Sequence, residues 1–313
     1  GILPLETPYG RPTDISEERR QWATKTFEGK DIAIFAEAEE LMKSGLVDAV
    51  YIAVPHYDHP ILAMKAFGYG LHVMLEKPAG VYTKQVREMN EYAKNASATF
   101  GMMFNQRTNC VYRKMKEMID GGEIGEIKRM NWIVTDWYRT QYYYDSGAWR
   151  ATWKGEGGGV LLNQCPHQLD LLQWLCGLPA KVHAFAHEGK WHDVEVEDDV
   201  TAYLEFPNGA TGVFITTTGD GCGTNRLEIQ MDKAKIVAQK DSLEVLEFEM
   251  SEPEFSRTNT SAFGAPKTHP VEIVTDGENP QHIGVINAWG GAILRGEPLV
   301  ADGREGINGL LLS

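Results

Sequence analysis

The 313-residue chain is short of several things, and each shortage removes a class of function. Basic residues are outnumbered: 30 Lys and Arg face 44 Asp and Glu, for a formal net charge of −14. A surface of that sign repels phosphate, so neither a nucleic-acid binder nor a protein docked on anionic membrane is expected. Cysteine is limited to Cys110, Cys165, Cys176 and Cys222 with no CxxC pair, which fits reduced thiols in a cytoplasmic protein rather than a disulfide framework. No run approaches the ~20 apolar residues of a membrane span, and no signal peptide opens the chain. There is no H-E-x-x-H; His183, His187, His192, Asp193 and Glu195 fall on an expected strand and loop, so no metal is expected. Repeats and low-complexity tracts are absent too. What is present is ordinary for a globular protein, 42% hydrophobic and 24% charged, and the length suits two domains.

Residues 1–13 (GILPLETPYGRPT) carry proline and glycine without period and are expected as a loop. Ser16 is placed to cap a helix running to about Phe27, with Glu17 and Glu18 at its positive end. Strands are then expected at 31–35, 49–54, 71–75 and 98–104, separated by helices at 37–44, 60–69 and 81–95. Strands alternating with helices predict a parallel sheet covered on both faces, an α/β Rossmann-like, doubly wound domain over residues 1–105. In such sheets ligands lie at the carboxyl ends of strands, which singles out Pro55-His56 and Glu76-Lys77-Pro78. A linking helix over 107–120 opens an α+β domain, residues 106–313, with a large, open, mainly antiparallel sheet. Its strands are expected at 127–138, 181–187, 200–206, 211–218 and 227–230, with Asn208-Gly209 as a hairpin turn. Residues 253–278 read as an irregular arm and 280–294 as helix.

Within the second half, 157–174 reads GGGVLLNQCPHQLDLLQW. Leucines recur from Val160 onward at intervals that suit a buried helix, closed by Gly177 and Pro179. Asn163, His167 and Asp170 are spaced four and three apart, so a continuous helix would put them along one side. Pro166 lacks an N–H and kinks that helix or restarts it at its first turn. A polar line on an apolar helix costs free energy unless it is hydrogen-bonded or faces a wet cleft, so His167 is either a satisfied core histidine or a working one. Upstream, 136–156 is crowded with Trp137, Tyr138, Tyr142, Tyr143, Tyr144, Trp149 and Trp153, which either pack on the sheet or line a pocket for a ring-shaped polar ligand.

Taken together, AVPHYDHP at one strand end, LEKPAG at the next and GGGVLLNQCPHQLD about 80 residues later resemble the glucose–fructose oxidoreductase / inositol dehydrogenase / MocA (Gfo/Idh/MocA) family, from Asp14 onward. The resemblance implies an NAD(P)-dependent oxidoreductase of sugars or cyclitols whose C-terminal open sheet makes a homo-oligomer, a dimer or tetramer. The lysine of EKP is Lys77, implied to reach the reacting hydroxyl, and the histidine of the D-x-x-x-H stretch is His167, the implied acid/base. The carboxylate of that stretch is Asn163 here; an amide takes no proton, so hydrogen bonding to substrate is its remaining role. Asp170 matches the next acidic position, placed to orient His167. Substrate contacts are expected from Asn163, Asp170, Gln164, Trp149, Arg150 and Tyr144. Cofactor contacts are expected from Asp14, Val54, Pro55, His56, His59, Glu76 and Lys77. The chemistry is compatible: oxidising an alcohol removes its O–H proton while hydride leaves carbon, work suited to an imidazole beside a cationic ammonium.

One piece is missing. No G-x-G-x-x-G appears in residues 1–60, and only thirteen residues precede Asp14, which stands where the ribose-binding acid belongs. The expectation is a chain lacking residues there and, from the apolar run at Leu310-Leu311-Leu312, at its other end as well. An acid at Asp14 favours NAD over NADP. The expected function is oxidation of a secondary hydroxyl of a sugar or glycoside at a ring carbon such as C3, with a cyclitol next. A metal enzyme, a Cys165 nucleophile and a non-catalytic scaffold or sensor that has lost its cofactor are the competing classes.

Overall fold

A computed structural model describes Asp14 and residues 16–313; the loop expected over residues 1–13 lies outside the described residues. The elements in order are α1 (Glu17–Thr26), α2 (Ala38–Lys43), β1 (Ala49–Ile52), α3 (His59–Gly68), β2 (His72–Leu75), α4 (Thr83–Asn95), β3 (Phe100–Met102), α5 (Cys110–Gly121), β4 (Ile127–Val134), α6 (Gln141–Asp145) and α7 (Pro166–Cys176). There follow β5 (Lys181–Glu188), β6 (Glu197–Glu205), β7 (Thr211–Thr217), β8 (Asn225–Met231), β9 (Ala234–Gln239), β10 (Ser242–Phe248), α8 (Glu252–Thr258), β11 (Thr268–Val271), α9 (Gln281–Arg295) and α10 (Gly306–Leu312). None of the described helices is long and apolar enough to cross a membrane. The chain divides into two compact units.

The first unit holds the described residues through Asn105 together with His282–Leu311. Ser16 caps α1 by accepting from the Arg19 N–H at 3.4 Å, with Glu17 and Glu18 in the first turn. The strands form a parallel sheet in the order β1-β2-β3, each joined to the next through a helix. Ile52 pairs with Leu75 and Leu75 with Met102, so all three strands end in line. Of the strand expected at 31–35, residues 31–34 are irregular and Phe35 forms a single bridge; among the described residues the sheet does not include them. The second domain is expected from sequence to run to residue 313, whereas residues 282–311 group with the first unit. Val285 and Trp289 of α9 are buried with Ala49, Met74 and Met103, and the Met102 N–H donates to the Ala301 carbonyl at 3.2 Å.

The second unit, residues 106–281 with 312–313, is built on an eight-stranded sheet in the order β11-β10-β9-β8-β4-β7-β6-β5. Every pair is antiparallel except β4 with β7. Alternation along the strands sorts the side chains. Met130, Trp132, Phe214, Leu227 and Ile229 pack one face against Val111 and Met115 of α5 and Leu169, Leu172 and Leu175 of α7. The opposite face is open, with Phe185, Tyr203 and Ile133 exposed and β5 exposed along its whole length. Between β6 and β7 the Asn208-Gly209 turn forms as expected, Gly209 taking φ +85° and the Asn208 side chain accepting from the Ala210 N–H at 3.0 Å. The stretch read as an irregular arm contains α8 and β11.

Candidate functional site

In the first unit the polar candidates gather where the three strands end. The backbone after β1 carries Val54, Pro55 and His56; the backbone after β2 carries Glu76 and Lys77; Asn105 follows β3. Glu76 is held on both oxygens: Oε1 accepts from the Tyr51 hydroxyl and Oε2 from the Lys77 N–H at 3.0 Å. Burial, then the Glu76 carboxylate, push the Tyr51 phenol far above its ordinary pKa, so it stays a donor. The Lys77-Pro78 bond is cis, and the Pro78 carbonyl faces His59 Nδ1 at 2.6 Å. A carbonyl only accepts, so that nitrogen carries the proton. His59 is buried, and burial lowers its pKa. His59 thus ties the Glu76-Lys77-Pro78 turn to the start of α3. Asn105 Nδ2 lies 3.1 Å from His282 Nδ1, and His282 Nε2 lies 3.9 Å from Glu76 Oε1. Asp14 stands apart at the head of α1, its carboxylate accepting from the Ser16 N–H at 2.8 Å and from Arg19 at 3.5 Å.

In the second unit the segment before α7 decides the geometry. Pro166 starts the helix, and residues 160–165 are turns: the Asn163 N–H donates to Gly159 O at 2.9 Å and the Cys165 N–H to Val160 O at 2.9 Å. Asn163 therefore does not share a helical face with His167, which sits in the first turn of α7. Two buried carboxylates, Glu197 and Glu156, brace the segment that leads in. Glu197 accepts from the N–H groups of Gly159 (2.9 Å) and Leu161 (3.0 Å), and burial raises its pKa against the pull of those bonds. A Cβ on Gly159 would meet the Glu197 carbonyl oxygen at 1.9 Å, so only glycine fits there. Glu156 accepts from the Ala151 N–H at 2.7 Å and, on its other oxygen, from Asn163 Nδ2. Neither Glu156 nor Glu197 is among the residues the sequence singled out; the one available signal was Glu156 standing directly before three glycines.

Asp170 is matched by Arg107, a partner hidden in sequence. The guanidinium donates Nε to Oδ2 at 2.8 Å and Nη2 to Oδ1 at 2.6 Å, and Gln173 adds a third bond at 3.1 Å. Gln164 is buried one residue from Asn163. The aromatic stretch divides between the two readings. Tyr144 is buried against the His192 ring, gives its hydroxyl to Thr218 at 2.9 Å, and has its pKa pushed up to about 12 by burial. Trp149 is exposed and Arg150 stacks on it at 4.5 Å and on Tyr143 at 4.6 Å, a cation between two rings. Cys165 packs in the core with its thiol on Thr216 at 3.0 Å. Among the described residues no three His, Cys, Asp or Glu side chains converge as metal ligands; His192 bonds Asp198 at 2.9 Å, while His183 and His187 lie along β5.

Residues 11–104 match the oxidoreductase family described as an NAD-binding Rossmann fold, and residues 112–237 match the GFO/IDH/MocA C-terminal domain. Relatives include a 1-carboxy-3-chloro-3,4-dihydroxycyclohexa-1,5-diene dehydrogenase of Comamonas testosteroni, 29% identical, with 56% of this chain and 44% of that protein aligned. The D-glucoside 3-dehydrogenase of Escherichia coli K12 is 26% identical, over 56% of this chain and 54% of its own length. The chain thus spans about half the length of the curated relatives it matches. Among solved structures, the WlbA dehydrogenase of Bordetella pertussis, in complex with NADH and UDP-GlcNAcA, shares the fold with a TM-score of 0.76 at 24% identity, over 96% of this chain and 84% of that one. With a parallel strand-helix unit matching the NAD-binding half and a mainly antiparallel open sheet matching the C-terminal half, the chain belongs to the Gfo/Idh/MocA family of oxidoreductases.

Proposed function

We propose that the protein is an NAD(P)-dependent oxidoreductase of the cytoplasm that oxidises a secondary hydroxyl of a sugar or glycoside, at a ring carbon such as C3, by hydride transfer to nicotinamide. The observation that carries this is the common end of the three parallel strands, where Pro55-His56, Glu76-Lys77 and Asn105 follow in-line partners. Dinucleotides lie at such carboxyl ends, and the groups present there fit one. Asp14, Val54, Pro55, His56, His59, Glu76 and Lys77 are assigned to it, with Glu76 and His59 shaping the turn that carries Lys77. The Asp14 carboxylate suits ribose hydroxyls and repels an added 2′-phosphate, which favours NAD over NADP. When bound, the nicotinamide supplies the hydride acceptor.

The chain's own residues handle the proton and the charge. His167 takes the hydroxyl proton as hydride leaves the carbon, and the Lys77 ammonium stabilises the alkoxide that develops. Trp149 and Arg150 offer a stacked surface to the C–H face of a sugar ring, and Asn163 and Gln164 offer amides to its hydroxyls. Tyr144 and Asp170, whose polar atoms serve Thr218 and Arg107, act as supports behind that surface. The E. coli relative named as a D-glucoside 3-dehydrogenase supports a glycoside. The Comamonas relative, named for a dihydroxylated ring, supports a cyclitol as the second substrate class. The open face of the eight-stranded sheet is assigned to a second copy of the chain, giving a dimer or tetramer.

Incubating the full chain with NAD+ and a panel of sugars, methyl glycosides and cyclitols, and following NADH absorbance, tests the proposal. Oxidation of a glycoside that falls by ~10²–10⁴-fold in both His167→Ala and Lys77→Ala is the expected result. No oxidation of any member, or near-wild-type turnover in either variant, overturns it.

A further inference from the structure

Glu156 is 2% exposed and is not among the residues assigned to the hydride and proton steps. One of its oxygens accepts from the N–H of Ala151, a residue held at φ +49°, where non-glycine side chains are uncommon. The turn over 151–156 is closed further by the Glu156 N–H, which donates to Thr152 O at 2.9 Å. The carboxylate is therefore fixed by backbone on one side and meets the Asn163 amide on the other.

The two ends of a carboxamide are not equivalent. Nδ2 only donates and Oδ1 only accepts, and a carboxylate can only accept. Facing Glu156, Asn163 must present its nitrogen, so its carbonyl oxygen is turned the other way. We propose that Glu156 is a positioning residue that locks Asn163 as a hydrogen-bond acceptor, so that the site selects a ligand group that donates. On the sugar-oxidation proposal, on which this identification of the ligand rests, the donor is a ring hydroxyl neighbouring the carbon that loses hydride. The lock also accounts for the departure at position 163. Where the resemblance calls for a carboxylate, this chain has an amide backed by one, and an acceptor oxygen is kept.

Two measurements on the full chain test this. In protein labelled with ¹⁵N-asparagine, the Asn163 side-chain amide, identified by its loss in Asn163→Asp, is expected to show one proton shifted downfield and slow exchange. In Glu156→Gln both features are lost; if they persist unchanged, the lock does not exist. The kinetic arm uses methyl β-D-glucopyranoside with NAD+. Glu156→Gln is expected to raise KM about tenfold, with a smaller change in kcat, because the amide is free to turn its wrong end. Asn163→Asp brings two carboxylates into contact and is worse. In Glu156→Gln/Asn163→Asp the glutamine amide donates to the new aspartate, an acceptor oxygen is restored, and kcat/KM recovers about tenfold over Asn163→Asp. A folded double variant no better than Asn163→Asp overturns the proposal. If the wild type oxidises no glycoside, the functional proposal has failed, and the amide resonances still decide the lock.

Discussion

Asp170→Asn removes a buried charge that Arg107 faces. Arg107 and Asp170 side chains are 2% and 1% exposed, their two bonds run in parallel at 2.8 and 2.6 Å, and the guanidinium also lies over the Trp174 ring at 5.2 Å. The intact pair adds little net stability, since removing both ions from water offsets most of their attraction. Breaking it is different: removing one partner of a buried ion pair costs about 3–5 kcal/mol. Asparagine keeps one acceptor oxygen, which puts this variant near the lower end, about 3 kcal/mol. For a unit of this size each kcal/mol moves Tm by ~2–4 °C, so a fall of ~6–12 °C is expected. Thermal and urea melts followed by circular dichroism read it directly. Replacing both partners, as Arg107→Leu/Asp170→Leu, should cost less than Asp170→Asn alone, because both ions of the pair are removed together. Melting of Asp170→Asn within about 2 °C of wild type, or a double variant worse than the single, would mean that the buried pair carries no such cost.

His59 gives a pH dependence of known sign. Burial holds its folded pKa below the ordinary value, while the unfolded chain titrates near ~6.5. Below that pH the unfolded state binds a proton that the folded state refuses, so stability is complete above about 6.5 and falls as acid is added, by at most ~1.4 kcal/mol per pH unit. Urea midpoints between about pH 5 and 7.5 should slope less in His59→Gln than in wild type; equal slopes contradict the assignment. The open sheet face predicts that wild type sediments as a dimer or tetramer and that Phe185→Glu, which charges a side chain 73% exposed on the outermost strand, sediments as a smaller species. A monomeric wild type rules that face out as an interface.

Much of the framework was legible because it rests on local pattern. Short apolar runs between helical stretches gave β1, β2 and β3, Asn208-Gly209 gave the β6–β7 hairpin, and Pro166 marked where α7 begins. Other parts depend on partners that local pattern does not reveal. The β9–β10 hairpin turns on Lys240-Asp241 with Lys240 at φ +55°, a left-handed position taken without the usual glycine or asparagine, so its turn signal is silent. The return of α9 to the first unit depends on Val285 and Trp289 finding Met74 and Met103, contacts that no helical period encodes. Around the candidate site, Lys77, His167 and Asn163 stood out by motif. Glu156, Glu197, Arg107 and Tyr51 did not, since each matters through a hydrogen bond to a residue brought near only by folding.

In the proposed reaction hydride leaves a ring carbon of a sugar while His167 takes the proton and Lys77 steadies the oxygen. Turnover of methyl β-D-glucopyranoside deuterated at C3, with NAD+ and the full chain, tests it most directly by mass spectrometry of the recovered nucleotide. Deuterium in the nicotinamide ring is the expected result, with loss of that transfer in both His167→Ala and Lys77→Ala. Reduced nucleotide without deuterium, or label transferred undiminished by either variant, would contradict it.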